Sequence, residues 1–114
     1  MRIHLPAALV VLVLLLALAD AARARARDPG DLLRAFACIH RHEGAWDAHT
    51  GNGYYGGLQM DYSFMRAYGP EYLRAFGTAD RWPPALQLAV AVRAYLAGRG
   101  FGPWPNTARI CGLL

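Results

Sequence analysis

Apolar side chains and one acid share a face of the first helix predicted after the N-terminal apolar stretch. They are spaced by four, three and four residues: Leu32, Phe36, Ile39 and Glu43. This spacing is that of an amphipathic helix, for which Asp31 is a suitable N-cap. Gly44 stands where such a helix ends. The pattern therefore predicts a helix from near Asp31 to Glu43, with Glu43 on the apolar, partly buried face.

A glycine-rich segment follows, with the sequence TGNGYYGGLQMDY over residues 50–62. Glycines at this density indicate turns and close backbone approach. Residues 54–55 and 58–60 are predicted as two very short strands of a β-hairpin. A short helix over residues 63–68 comes next, and another begins with Pro70 in its first turn and ends before Gly77.

A longer helix is predicted after Asp80, which we interpret as its N-cap, with Pro83 or Pro84 in the first turn. Its apolar positions are Leu86, Ala89, Val90, Val92 and Leu96. Residues 101–105 are predicted to be extended, and Asn106 to cap a last turn. The sequence thus indicates an α+β, mostly helical domain with one short β-hairpin.

The N-terminus has the layout of a secretory signal peptide. Met1 and Arg2 precede a 13-residue apolar run over residues 7–19, and residues 19–21 follow a small-x-small pattern. We predict a signal peptide over 1–21, a linker over 22–30 and one domain over 31–114, secreted to the cell wall. An uncleaved anchor and a buried core helix are the alternatives. The run is too short for a membrane span, so no stable span is expected after processing.

The composition limits the classes of partner that the chain is expected to bind. The 114-residue chain has 12 Lys+Arg against 8 Asp+Glu, a net charge of +4. A basic exported domain suits an anionic polymer, although arginine usage can also reflect nucleotide composition. No nucleic-acid motif is present, so nucleic acid is not expected as a partner. Two cysteines in an exported chain, Cys38 and Cys111, predict a disulfide.

Glu43 is the candidate catalytic residue. Partial burial and the C-terminal end of a helix dipole both disfavour a negative charge. Such a position suits a carboxylic acid that protonates the leaving oxygen of a glycosidic bond. The alternative is a structural glutamate that caps a neighbouring loop.

Residues around Glu43 have the types that glycan clefts use, which are aromatic platforms and polar hydrogen-bonding groups. The candidate platforms are Trp46, Tyr54, Tyr55 and Trp104. The candidate polar contacts are Thr50, Asn52, Gln59 and Asn106. Each of these also fits a core or turn position. Four further aromatic residues are interpreted as structural: Tyr68, Tyr72, Trp82 and Tyr95.

Other chemistries have weaker sequence support. His40, His42 and His49 lie near Glu43, but the HExxH motif is absent. His40 and His42 point about 200° apart on a helix, so no metal site is predicted. Ser63 has no GxSxG setting, and there is no phosphate-binding glycine loop.

The segment TGNGYYGGLQ, from Thr50 to Gln59, resembles the signature of the resuscitation-promoting factor catalytic domain. The resemblance continues through QLAVA from Gln87 and GFGPWP from Gly100, and covers about residues 31–112. It implies a small lysozyme-like fold with a cleft, which cleaves the MurNAc–GlcNAc β-1,4 bond of peptidoglycan. It also implies that Glu43 is the catalytic acid, with substrate contacts at Tyr54, Gln59, Asp61 and Trp104.

This chain departs from the family pattern at three places. The segment after the acid, from Glu43 to Trp46, is two residues shorter, which changes the expected position of Trp46. His42 stands where the family often has a cysteine. Cys38 lies one helical turn earlier, and Cys111 lies about four residues later than in the family. The two shifts compensate, so the Cys38–Cys111 disulfide stays predicted.

The reaction depends on a second carboxylate. A hydrolase would need Asp47 or Asp61 near the scissile bond, but Asp61 fits equally well as a helix N-cap. Without a second carboxylate, the MurNAc 6-hydroxyl attacks and a 1,6-anhydro product forms, the lytic transglycosylase route that we favour. Neither route requires a metal or organic cofactor. The alternatives are a muramidase, a non-catalytic glycan-binding module and a secreted inhibitor or signalling protein. A monomer is expected, and a partner cell-wall hydrolase is left open.

Overall fold

The computed structural model describes the backbone of residues 3–26 and 28–114, and the side chains of residues 3–18 and 28–114. In these ranges the chain is mostly helical. The helices are α1 (Ala7–Ala26), α2 (Pro29–Glu43), α3 (Tyr62–Tyr68), α4 (Pro70–Phe76), α5 (Pro84–Ala94) and α6 (Pro105–Ile110). A 3₁₀ turn covers Ala79–Arg81 and a π turn covers Tyr95–Arg99. The chain divides into two compact units, residues 1–32 and 33–114.

The N-terminal unit contains helix α1. Within the ranges described, no helix combines the length and the apolar character that crossing a bilayer requires. The predicted basic start at Met1 and Arg2, and Arg27 of the predicted linker, lie outside the described residues. The side chains of the predicted cleavage region, residues 19–21, also lie outside them. The signal peptide and the linker therefore stay predictions.

Helix α2 begins two residues earlier than the sequence pattern predicts. Pro29 occupies its first turn, and the Asp28 carboxylate accepts a hydrogen bond from the Asp31 backbone N–H at 3.4 Å. Asp28 therefore takes the capping position that we assigned to Asp31. The C-terminal end at Glu43 is confirmed. The apolar stripe is also confirmed, because these side chains are buried: Leu32, Phe36 and Ile39.

The predicted β-hairpin is wrong. Within residues 44–61 there are only isolated antiparallel bridges, which join His49 to Tyr55 and Tyr55 to Met60. Tyr55 and Met60 exchange two backbone hydrogen bonds of 2.9 Å around the turn of residues 56–59. The pairing stops there because Asp61 immediately caps helix α3, so the second strand has no residues to continue with. The fold is a helical domain with one bridged turn.

Helices α3 and α4 confirm the two short helices predicted over residues 63–68 and from Pro70 to before Gly77, and α3 begins one residue earlier, at Tyr62. Helix α3 ends at Gly69, whose N–H donates to the Met65 carbonyl, and Pro70 opens α4. A Cβ on Gly69 would lie 2.9 Å from both the Trp82 ring and the Val90 side chain. Gly69 therefore allows the α3–α4 corner to pack closely against α5.

Four predictions for the C-terminal third are wrong. Asp80 does not cap α5; it lies in the 3₁₀ turn, where its carboxylate accepts from Thr78. Leu96 is 66% exposed, because α5 gives way to the π turn before this residue and the apolar face is not continued. The segment before α6 consists of turns, and the N-cap of α6 is Trp104, with Asn106 exposed inside the helix.

The core of the C-terminal unit is built around aromatic rings. Phe36 packs edge-on against Phe101 and Trp104, with ring centroids 5.4 and 5.2 Å apart. The predicted disulfide is confirmed: Cys38 in α2 is bonded to Cys111 after α6, with Cα atoms 6.1 Å apart. Helix α6 is therefore covalently fixed beside the helix that ends at Glu43.

Candidate active site

A cavity of about 410 Å³ is lined by residues of the bridged turn, of helix α3 and of the segment between α5 and α6. Four of the predicted substrate contacts belong to its lining: Tyr54, Gln59, Asp61 and Trp104. The other predicted polar contacts, Thr50, Asn52 and Asn106, are exposed and are not part of the lining. Tyr68, which we interpreted as structural, does line the cavity, and so does Arg99.

Glu43 is half-buried at the last position of α2. Its Oε1 accepts a hydrogen bond of 2.8 Å from the hydroxyl of Thr107, which is buried in the first turn of α6. Sequence reasoning missed Thr107, because it lies 64 residues from Glu43 and has no motif of its own. The contact fixes one oxygen of the carboxyl group and leaves Oε2 without an assigned protein partner in the described part of the chain.

Two short links connect Glu43 with the cavity wall. A Cβ on Gly44, the next residue, would lie 3.6 Å from Nε2 of Gln59. On the other side, the Thr107 hydroxyl lies 3.5 Å from the carbonyl oxygen of Trp104. Both Gln59 and Trp104 line the cavity. Glu43 is not itself a lining residue, and its carboxyl group is linked through the Thr107 hydroxyl to the backbone of Trp104, which lines the cavity.

Gln59 has an unusual backbone conformation. Its φ of +48° makes it the non-glycine residue with a positive φ in the described chain. Its amide Nε2 donates to the Gly56 carbonyl at 2.9 Å, and its Oε1 accepts from Asn52 at 3.4 Å. Left-handed non-glycine residues are strained and are concentrated at functional sites. The local strain is consistent with a role for the Gln59 side chain in the cavity.

The two aspartates predicted as candidate second carboxylates have different settings. Asp61 is the N-cap of α3, because its Oδ1 accepts from the Phe64 N–H at 2.8 Å. The structural alternative for Asp61 is thus confirmed, and the residue also lines the cavity. Asp47 is exposed in the turn after Trp46 and does not line the cavity.

Trp104 is only 4% exposed, so most of its ring belongs to the core. Its Nε1–H donates to the Leu58 carbonyl at 2.7 Å, and its ring contacts Phe64 edge-on at 5.5 Å. Tyr54 is different, because it is 48% exposed and offers an open aromatic face to a ligand. Of the two predicted aromatic platforms in the cavity, Tyr54 therefore has a ring that a ligand can contact, whereas Trp104 mainly forms part of the cavity wall.

Gln87 holds the loops that surround the site, a role that the sequence did not indicate. Its buried side-chain oxygen accepts from the Gly57 N–H at 2.8 Å. Its Nε2 donates to the carbonyls of Trp46 and Trp82 at 2.9 and 3.0 Å. A Cβ on Gly56 would lie 2.4 Å from the Gln87 oxygen, so only glycine allows this approach.

His40 completes the same framework. Its Nδ1 lies 2.9 Å from the Gly57 carbonyl oxygen and must carry the proton, because a carbonyl only accepts. The Trp46 ring stacks on His40 with a centroid distance of 3.7 Å. Trp46, a predicted platform, thus packs within the protein. We call Gln87, His40, Gly57, Trp46 and Trp82 the Gln87 framework.

One group of metal-ligand types occurs among the described side chains. Atoms of Cys38, His42 and Cys111 lie within 4.8 Å of one another. The two sulfur atoms are bonded to each other, so they lack the thiolate form that binds metals. The group is best explained by the disulfide, with His42 exposed one helical turn away from Cys38.

Comparison with known proteins identifies the family. Residues 38–107 match the model of the transglycosylase-like domain. The chain is 43% identical over 70 residues to the resuscitation-promoting factor Rpf1 of Corynebacterium glutamicum, covering 61% of this chain and 35% of that protein. It is 41% identical over 70 residues to RpfA of Mycobacterium tuberculosis, covering 60% of this chain and 15% of RpfA.

A third relative, RpfC of Mycobacterium tuberculosis, is 39% identical over 70 residues, covering 61% of this chain and 46% of RpfC. The match therefore spans less than half of each of these relatives. The family-model match over residues 38–107 includes Glu43, Thr107, Gln87 and all the cavity residues named above. The chain belongs to the transglycosylase-like domain family.

Proposed function

We propose that this domain cleaves the MurNAc–GlcNAc β-1,4 bond of peptidoglycan, with Glu43 as the catalytic acid and base. The observation that carries the proposal is the half-buried Glu43 carboxyl group, held by Thr107, whose hydroxyl also lies 3.5 Å from the carbonyl of the cavity-lining Trp104. Membership of the transglycosylase-like family supports the same class of reaction.

The hydrogen bond from Thr107 gives the two carboxyl oxygens of Glu43 different roles in the proposed reaction. Oε1 accepts a hydrogen bond from the threonine hydroxyl, so Oε2 is the oxygen that carries the acidic proton toward the substrate. A positioned acid of this kind contributes about 10²–10⁴-fold to a rate. Tyr54 and Gln59 lie on the cavity wall, where they are suited to bind the sugar rings and to position the glycosidic oxygen near this proton.

The proposed reaction needs no added reactant. The Oε2 proton moves to the glycosidic oxygen, and the C1–O bond breaks with its electron pair going to the leaving GlcNAc 4-oxygen. The Glu43 carboxylate then removes the proton of the MurNAc 6-hydroxyl, whose oxygen forms a new bond to C1. The products are a 1,6-anhydroMurNAc end and a free GlcNAc end, and Glu43 is protonated again.

The settings of the two aspartates favour this route over hydrolysis. An inverting or retaining hydrolase needs a second carboxylate on the opposite side of the scissile bond. Asp61 already uses one oxygen to cap α3, and Asp47 lies outside the cavity lining. The 6-hydroxyl of the substrate replaces the second carboxylate in the transglycosylase route.

We further propose that residues 1–21 direct secretion and that residues 31–114 act at the cell wall as a monomer. The basic charge of the chain supports weak attraction to an anionic wall. Binding of this kind is screened by salt, so affinity for isolated cell walls should fall as the ionic strength rises.

Mass spectrometry of the soluble fragments released from purified peptidoglycan tests the reaction, with Glu43→Gln as the control. We expect fragments that end in 1,6-anhydroMurNAc, one water lighter than reducing-end products, and none from the variant. Reducing-end fragments would contradict transglycosylation and indicate a muramidase that uses Asp47 or Asp61. Glycan binding without any release would contradict the enzyme and indicate a binding module.

A further inference from the structure

Arg99 supplies a positive charge to a cavity whose other charged lining residue is Asp61. The guanidinium NH1 donates to the Tyr68 hydroxyl at 3.3 Å, and its central carbon lies 5.9 Å from the Tyr68 ring centroid. Tyr68 lines the same cavity. The tyrosine therefore holds the arginine head group at the cavity wall through one hydrogen bond and a cation–π contact.

A second arginine, Arg93, makes similar tyrosine contacts but is also paired with a carboxylate. Arg93 of α5 contacts the Tyr72 hydroxyl at 3.2 Å and the Tyr72 ring at 5.2 Å, much as Arg99 contacts Tyr68. Arg93 also forms a hydrogen-bonded ion pair with the Glu71 carboxylate. Arg93 is thus fully explained as a structural residue that ties α5 to α4.

Arg99 has no corresponding acid. Among the described side chains, no carboxylate lies within 4.0 Å of its guanidinium, and Asp61 of the same cavity is directed to the α3 N-terminus. An arginine offers five N–H donors in a planar fork that matches a carboxylate. Since Tyr68 takes one donor, the remainder of the fork is available to a ligand.

The backbone around Arg99 is shaped to turn at this residue. Gly98 and Gly100 both have positive φ, of 102° and 53°, and the Arg99 carbonyl accepts from the Gly102 N–H at 3.1 Å. Two left-handed glycines on either side reverse the chain at little steric cost. The arginine is therefore presented at the tip of a defined turn beside the Tyr68 ring.

We infer that Arg99 binds a carboxylate of the peptidoglycan substrate and so makes the enzyme prefer charged over neutral glycan. The inference rests on the proposed function and adds a specificity-determining residue to it. Peptidoglycan carries carboxylates on its stem peptides, and on the lactyl group of MurNAc once the peptide is removed. Both sources present the planar anion that the guanidinium fork matches.

Three substrates prepared from the same cell walls separate these sources. The first retains its stem peptides, the second is stripped by an amidase to expose the lactyl carboxylate, and the third is stripped and then amidated to a neutral amide. The rate of fragment release, as kcat/KM, is measured for wild type, Arg99→Gln and Arg99→Lys. Arg66→Gln is the matched control, because Arg66 is exposed on α3 and does not line the cavity.

We expect wild type to prefer the carboxylate-bearing substrate about tenfold over the neutral one, the usual weight of a charged hydrogen bond. Arg99→Gln should lose this preference through KM, Arg99→Lys should keep part of it, and Arg66→Gln should match wild type. If the amidase-treated substrate is still preferred over the neutral one, Arg99 binds the lactyl carboxylate. If that preference is already lost after amidase treatment, Arg99 binds a carboxylate of the stem peptide. Equal rates on all three substrates with wild type would overturn the inference, as would an unchanged preference in Arg99→Gln.

Binding of soluble fragments of the same three substrates, measured with Glu43→Gln and Glu43→Gln/Arg99→Gln proteins, separates this inference from the proposed function. If wild type cleaves nothing, the proposed function fails. Arg99 is then judged by binding alone. Tighter binding of the charged fragments that disappears with Arg99→Gln would support the carboxylate contact, and equal binding would refute it.

Discussion

Two glutamines represent two regions of this domain with opposite properties. Gln87 is 0% exposed, and its amide group bonds to the backbone of three separate segments. Gln59 lines the cavity on a strained backbone and bonds only within its own loop. The Gln87 framework is satisfied within the protein, whereas the cavity keeps polar groups for a ligand.

This difference separates stability from activity. In a buried region every polar group needs a partner, and no buried side-chain polar atom among the described residues lacks one. In the cavity, Tyr54, Gln59 and Arg99 are held by few contacts and remain accessible. Substitutions in the framework should lower both stability and activity, while substitutions in the cavity should lower activity alone.

The largest expected effect on stability is that of Gln87→Leu. Leucine is similar in size but leaves the Gly57 N–H and the carbonyls of Trp46 and Trp82 without their partner. We expect the free energy of unfolding to fall by about 3 kcal/mol, since each unsatisfied buried group costs about 1–3 kcal/mol. Denaturant unfolding of purified protein measures it. A loss below about 1 kcal/mol would contradict the framework role.

Gln59→Leu is the matched substitution in the cavity. We expect about a fivefold lower kcat/KM for fragment release, the weight of one neutral hydrogen bond of about 1 kcal/mol, with nearly unchanged stability. Enzyme kinetics and thermal unfolding on the same preparation measure both quantities. If Gln59→Leu destabilised the protein as much as Gln87→Leu, the distinction between the two regions would not hold.

Thr107→Val tests the contact that fixes Glu43. Valine has the shape of threonine without the hydroxyl, so the hydrogen bond to Oε1 is lost. We expect kcat to fall about fivefold, because the carboxyl group loses one neutral hydrogen bond of about 1 kcal/mol. Thr107→Ser keeps a hydroxyl and should restore most of the rate. A rate in Thr107→Val equal to that of wild type would show that Glu43 does not need this contact.

Glu71→Gln has the smallest expected effect and concerns a pair outside both regions. The Arg93 guanidinium, through its hydrogen bond, holds the pKa of Glu71 below the ordinary value of 4.5. Because the folded pKa is the lower one, the pair stabilises the protein above pH 4.5 and ceases to do so as the pH falls through the folded pKa.

Thermal unfolding of wild type and Glu71→Gln across this pH range measures the effect. Both groups are exposed, so the difference in Tm should be small and should shrink at high salt. A difference that grew toward acidic pH would contradict the assigned sign.

The sequence predicted the local features well. The end of α2 at Glu43 and the limits of α4 follow from apolar spacing and from glycine and proline positions. The hairpin prediction failed because the Asp61 cap starts α3 directly after Met60, and a local pattern does not show which of two adjacent signals prevails.

Long-range contacts explain what the sequence did not predict. The partner of Glu43 lies 64 residues away, and Gln87 reaches 30 and 41 residues to Gly57 and Trp46. Neither threonine nor glutamine has a spacing signal that indicates such partners. The four substrate contacts implied by the family resemblance, Tyr54, Gln59, Asp61 and Trp104, all line one cavity, and three of them lie close in sequence around the bridged turn. Their contact with substrate stays a prediction.

We propose that Glu43 performs the chemistry while the rest of the fold holds it in place. The most direct test measures fragment release from purified peptidoglycan and thermal unfolding for wild type and Glu43→Gln, side by side. We expect Glu43→Gln to lose at least about 100-fold in rate, as for the removal of a general acid, with nearly the same Tm. Fragment release by the folded variant at a rate close to that of wild type would contradict it.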